Sequence, residues 1–110
     1  MLFAACDNRV EVAADMDAPI YPDYANVTIP VNIAPLNFVI RNDKARDVRV
    51  FVDGELMVES RGDEVVFDDD AWKEMLSKKV GKTIEVNVHV GQEKEWVEYR
   101  PFTWTVVPDS

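Results

Sequence analysis

Two alternating runs, Val48-Arg49-Val50-Phe51-Val52 and Glu55-Leu56-Met57-Val58-Glu59, meet across the dipeptide Asp53-Gly54. A two-residue Asp-Gly loop supplies the positive φ angles of a type I′ turn, whose twist matches that of the flanking strands. This stretch is therefore committed locally to an antiparallel hairpin, with Phe51 expected opposite Leu56 and Val50 opposite Met57. A second strand shows strict alternation, with Ile84, Val86, Val88 and Val90 on one face and Thr83, Glu85, Asn87 and His89 on the other. Gly91-Gln92-Glu93-Lys94 turns into Trp96-Val97-Glu98-Tyr99-Arg100, and Pro101 should mark a bulge or break before Phe102-Thr103-Trp104-Thr105-Val106.

Between these strand regions lies the one helical pattern. Trp72, Met75, Leu76 and Val80 recur at the spacing of a single helix face. Asp68-Asp69-Asp70 precede them, and Lys78, Lys79 and Gly81 close the segment, as the macrodipole and capping preferences require. Upstream, Pro19, Pro22, Pro30 and Pro35 punctuate an extended entry segment. Proline lacks the ladder donor, so Val27-Thr28-Ile29 and its neighbours should run along a sheet edge. Leu36-Asn37-Phe38-Val39-Ile40 is the next strand, and Glu64-Val65-Val66-Phe67 follows the Arg61-Gly62-Asp63 turn. About seven short strands with frequent turns predict an all-β fold: a two-sheet antiparallel sandwich, immunoglobulin-like or fibronectin III-like. The short helix is expected between the fifth and sixth strands, capping one end.

A length of 110 residues fits one domain, and 47% hydrophobic residues suffice for a core. The net charge of −9 speaks against a nucleic-acid partner, since phosphate binding needs concentrated Lys and Arg. Lys44, Arg46 and Arg49 form the nearest basic cluster, and Asp43 and Asp47 interleave with it.

The start of the chain has another character. Met1-Leu2-Phe3-Ala4-Ala5-Cys6 is a short apolar run ending in two small residues and a cysteine, the pattern of a bacterial lipobox. Residues 1–6 therefore read as a truncated lipoprotein signal peptide, begun too late to include the charged region, with Cys6 accepting diacylglycerol. Phe3 departs from the leucine usual at that position. Two acyl chains suffice for stable membrane attachment, which predicts a lipid-anchored location in the cell envelope, at the outer membrane or periplasmic face. Residues 7–19, with four acids and one base, read as an acidic tether, and residues 20–110 as the β-sandwich domain.

Candidate chemistry is sparse. Cys6 and His89 are the single cysteine and histidine, so no disulfide framework, thiolate metal cage or Cys–His nucleophile pair is expected. His89 reads as a surface residue. Asp68, Asp69 and Asp70, with Asp63 and Glu64, offer hard oxygen ligands for calcium, but they lack the EF-hand spacing, and an acidic helix start explains them equally. Arg61-Gly62-Asp63 and Asn26-Val27-Thr28 match an integrin tripeptide and a glycosylation acceptor, and both read more simply as turns. No catalytic residue, resident metal or cofactor is expected, and the chain reads as a non-enzyme. Trp96, Tyr99 and Trp104 are the candidate ligand or partner contacts. One parity of these strands should be core, and an exposed remainder would stack on sugars or on a partner surface; core and inter-domain packing is the favoured reading of the two, because aromatics more often supply core burial.

Ile20-Tyr21-Pro22-Asp23-Tyr24, Val27-Thr28-Ile29-Pro30 and Asn32-Ile33-Ala34-Pro35-Leu36-Asn37-Phe38 resemble the N-terminal domain of a family of Bacteroidetes envelope lipoproteins. Those proteins carry a TolB-like β-propeller and are often labelled cytochrome c biosynthesis proteins. The lipobox-like start is similar too. The resemblance implies a fragment or truncated relative, whose partner is another domain or envelope protein such as the C-terminal propeller. The family's Cys-x-x-Cys-His segment has no counterpart among these residues, so haem or redox chemistry is not carried over. The expectation is a non-catalytic accessory or interaction domain; the alternative is a carbohydrate- or surface-binding module using exposed aromatics.

Overall fold

A computed structural model describes residues 8–108 of the chain. Cys6 and the lipobox-like run lie outside the described residues. Within them, ten strands and one helix follow in order: β1 (Val10–Asp17), β2 (Ile20–Tyr21), β3 (Val27–Pro30), β4 (Phe38–Ile40), β5 (Asp47–Val52), β6 (Glu55–Arg61), β7 (Glu64–Val65), α1 (Asp69–Lys78), β8 (Thr83–Gly91), β9 (Glu95–Arg100) and β10 (Phe102–Val107). The all-β class and the single short helix are as expected. The strand count exceeds seven because β1 and β2 form in the entry segment and Pro101 divides the last run into β9 and β10.

The strands make two sheets. β1, β3, β5, β6, β8, β9 and β10 form the seven-stranded sheet, and β2, β4 and β7 the three-stranded one, with β4 in the middle. The long β8 is the axis of the larger sheet. One edge pairs with β5 over Val86–Gly91; the other pairs with β10 at Thr83–Val86 and with β9 at His89–Gly91. Across Pro101 the pairing slips by one residue: Trp96 faces Gly91 and Phe102 faces Val86. Such a slip is a bulge, and it reverses side-chain parity. Val97 and Tyr99 before it, and Phe102, Trp104 and Val106 after it, consequently all reach the core.

The sandwich is not wholly antiparallel. β1 pairs parallel with β9, and β3 pairs parallel with β10. β9 and β10 run in one course along β8, and the two early strands lie successively along the outer side of that course. Residues 10–17, expected as part of an acidic tether, are thus a strand of the sheet. The tether reading failed because β1 buries little of its own side-chain surface: seven of its eight residues are exposed. Main-chain bonding holds it, beginning with the Val10 N–H donating to the Lys94 carbonyl at 3.2 Å. Arg9 adds an anchor, donating to Asp47 at 2.8 Å and to the Gln92 carbonyl at 3.2 Å.

The hairpin forms as its turn demands, with Asp53 at φ 49° and Gly54 at φ 85°. Phe51 does face Leu56. Val50, however, pairs with Val58 rather than Met57, because a bulge falls between Val50 and Phe51 and leaves Met57 as the extra residue. The slip puts Val58, 8% exposed, on the buried face. α1 is capped by Asp68, whose carboxylate accepts the Ala71 N–H at 2.9 Å, and it buries Trp72, Met75 and Leu76. Val80 lies beyond the last helical residue and is exposed, so it does not extend that face.

The core is continuous across both sheets and the helix. Its centre is aromatic. Trp104 packs edge-on against Trp72 at 5.5 Å, Phe67 at 6.1 Å and Phe102 at 5.8 Å between ring centroids. The indole N–H groups of Trp72 and Trp104 have carbonyl partners: Trp72 donates to Ile33 at 2.9 Å and Trp104 to Tyr24 at 2.8 Å. These two bonds tie the proline-rich entry segment to α1 and to β10, giving an otherwise irregular stretch a fixed course.

Asp53 couples the hairpin turn to its surroundings. Its carboxylate accepts the Glu85 N–H at 2.9 Å and pairs with Lys79 at 2.7 Å, beside the end of α1. Partial burial pushes its pKa upward, but the Glu85 hydrogen bond and the Lys79 and Lys82 charges outweigh this and hold it below the ordinary value. A depressed carboxylate pKa stabilises the fold above the unfolded-state value of about 4 and loses that effect as pH falls through the folded one. Asp53→Asn keeps an oxygen for Glu85 and tolerates the positive φ. It should therefore cost about 0.5–1 kcal/mol near pH 7, the scale of a partly screened ion pair. The difference should vanish in acid below the folded-state value; a gap between the two unfolding curves that persists there would contradict the assignment.

Candidate functional site

The three aromatics singled out in the sequence do not form an exposed platform. Trp96, Tyr99 and Trp104 are 4%, 7% and 0% exposed. Trp104 belongs to the aromatic centre of the core. Tyr99 is also in the core, and its hydroxyl accepts from the Asn42 side-chain amide at 3.3 Å. Stacking on a sugar needs an open ring face, so these residues do not supply the aromatic row that a carbohydrate module requires.

Trp96 is buried in a different way. It lies opposite Gly91 on the outer face of the larger sheet, away from the core cluster. The guanidinium carbons of Arg9 and Arg49 lie 4.3 and 4.2 Å from its ring centroid. Arg9 is held by Asp47, and Arg49 by Glu59 at 2.8 Å. The indole is thus covered by paired cations rather than by a second sheet, an arrangement that adds cation–π attraction to ordinary burial. Along the same face His89 stacks on Phe51, with centroids 4.8 Å apart and planes at 48°. Its place on the polar face was legible in the alternation of β8; the stacking partner across the sheet was not.

The other marked residues have structural partners. Asn26 has φ 58° and accepts from the Thr103 N–H at 3.0 Å, fixing the start of β3 to β10. In the Arg61-Gly62-Asp63 turn, the Gly62 N–H donates to the Arg46 carbonyl at 2.6 Å, and the Asp63 carbonyl accepts from Ile40 at 2.7 Å. Asp68 is the helix cap. Among the described residues, no group of three or more His, Cys, Asp or Glu is placed to hold a metal ion, and no helix is long and apolar enough to cross a membrane.

What the sequence reading missed lies on β1. Val10, Val12 and Met16 are 62%, 39% and 54% exposed. Register places Val12 beside the core residue Val97, and Ala14 packs partly against the core. Val10 and Val12 therefore lie on the core-facing side of the large sheet, and beyond the register shift that follows Ala13 the apolar row is continued by Met16, where the smaller sheet does not cover it. Met16 and Tyr99 line a shallow groove of about 440 Å³ there, with Arg41 and Lys44 on its rim. On the opposite side of β1 stand Glu11, Asp15 and Asp17, the last two reached by Arg100 at 3.7 and 3.4 Å. The available signal was the alternation of Val10-Glu11-Val12, too short by itself to outweigh the surrounding acids.

Comparison with family models, curated proteins and solved structures finds no match to this chain.

Proposed function

We propose that the chain is a non-catalytic interaction domain of the immunoglobulin or fibronectin III kind, held at the cell envelope by a lipid on Cys6 and working beside another domain or envelope protein. The observation that carries the interaction reading is the exposed apolar row Val10, Val12 and Met16 along an edge strand of an acidic domain. Supporting the non-catalytic reading, three carboxylates in short ion pairs have structural tasks: Asp47 holds Arg9, Glu59 holds Arg49, and Asp53 joins the hairpin to Lys79. The sandwich reading draws support from the two facing sheets and from β3 lying parallel beside the last strand. The envelope reading rests on the Ala4-Ala5-Cys6 string and on the resemblance of residues 20–38 to propeller-bearing lipoproteins.

β1 begins four residues after Cys6, so an anchor there would hold the apolar row close to the membrane surface. Expressed from its own locus in cells fed an alkyne-tagged fatty acid, the protein should carry the tag and sediment with membranes, and Cys6→Ser should lose both. An untagged, freely soluble wild type would overturn the envelope reading. A photoreactive residue at position 12 should crosslink in intact cells, whereas one at Lys73, on the exposed side of α1, should not. Equal yields at the two positions, or none at 12, would overturn the interaction reading.

A further inference from the structure

We infer that β1 is a docking edge for an extended segment of another protein in which apolar residues alternate with lysine or arginine, added to the large sheet as a further strand. The inference rests on the interaction reading above and names the partner's chemistry. In the described residues β1 pairs with β9 alone, so its other edge is open. Val10–Ala13 keep unbroken register with Glu95–Glu98. The Val10 N–H bonds to Lys94, and in a parallel ladder alternate residues point their main-chain groups to opposite sides. Glu11 and Ala13 therefore present N–H and C=O groups away from β9, as strand addition requires.

The side chains specify the incoming strand. On one face it would continue the apolar row of Val10, Val12 and Met16; on the other it would meet Glu11, Asp15 and Asp17. Asp15 and Asp17 have side chains 97% and 90% exposed, with Arg100 as their nearby cation. Apolar residues on one face and cations on the other satisfy both. A second copy of this chain does not fit: β1 against β1 sets acids opposite acids, in a protein of net charge −9. The opposite edge, β6, is less suited: the bulge at Met57 falls in the middle of its ladder, whereas in β1 the register with β9 shifts only beyond Ala13, before Asp17 meets Arg100, and β6 carries Glu55, Glu59 and Arg61 of mixed sign.

The test uses three synthetic peptides of about nine residues, the length of a long strand. The first alternates valine with lysine or arginine, the second has glutamate at every charged position, and the third is the basic peptide with a central proline. Amide exchange of the full chain is followed by NMR. The basic peptide should slow exchange at Glu11 and Ala13, with binding that weakens as salt rises. The other two should bind at least about tenfold more weakly, the scale of losing charge pairing or a ladder bond. Ala13→Pro removes an outward N–H that β9 does not use, so it should weaken binding about tenfold while leaving the unfolding midpoint in place. Glu11→Lys with Asp15→Lys should reverse the preference toward the acidic peptide, which keeps the test decisive should proline disturb the strand. Equal binding of the acidic peptide, no binding of the basic one, or protection at β6 in place of β1 would overturn the inference. None of these outcomes touches the crosslinking result at position 12, by which the broader interaction reading stands or falls.

Discussion

Replacing Trp104 by alanine should remove most of the stability of this domain. Trp104 is fully buried, touches the rings of Phe67, Trp72 and Phe102, and donates its indole N–H to the Tyr24 carbonyl. Truncating a buried tryptophan costs about 3–5 kcal/mol through lost transfer energy and the cavity left behind. The Tyr24 carbonyl would also lose its donor, adding about 1 kcal/mol. Total stability of small domains is about 5–15 kcal/mol, so the variant should be largely unfolded or close to it. Trp104→Phe keeps part of the ring contact and should cost less than half as much. Urea unfolding followed by circular dichroism reads both effects. A Trp104→Ala loss below about 1 kcal/mol would show that the aromatic cluster is not the centre of the core.

The second large effect is expected at Gly91, on the other face of the sheet. A Cβ placed there would sit 2.6 Å from Arg9 Nη1 and 3.0 Å from two carbons of the Trp96 ring. The arginine end can swing aside. The indole has less freedom, because Arg49 also packs on it and its strand is fixed between β1 and β8. Gly91→Val adds a branched side chain into this space and should cost about 1–3 kcal/mol, the range for overpacking a filled site. In a Trp96→Ala background the same change should lose most of its cost, because the obstructing ring is gone. Equal costs in the two backgrounds would place the strain somewhere other than against Trp96.

The candidate site was less legible than the fold, and particular residues show why. Trp96 and Tyr99 were recognisable as aromatics on opposite parities of one strand, from which one was expected in the core and the place of the other was left open. Tyr99 reaches the core, whereas Trp96 is closed over by Arg9 and Arg49, residues 87 and 47 positions away in the chain. Charged side chains packed over an indole leave no periodic trace. The exposed row on β1 was hidden for the opposite reason. Its valines look like ordinary strand residues, and their exposure follows from where the smaller sheet stops.

The features determined by sequence are those whose physics is local. Asp53-Gly54 sets the hairpin through its backbone angles, the alternation of Ile84 to Val90 defines a strand with one buried face, and the spacing of Trp72, Met75 and Leu76 with an Asp68 cap defines the helix. Pro101 announces a break. Tertiary structure decided what depends on distant neighbours: that residues 10–17 join the sheet, that β1 and β3 run parallel to β9 and β10, and that the bulge turns both halves of the final course toward one core. β1 illustrates the difference. Its order comes from main-chain bonds to β9 and from Arg9 reaching Asp47, interactions between residues far apart in sequence. Neither composition nor periodicity records them, because a strand held by its backbone imposes little on its own side chains.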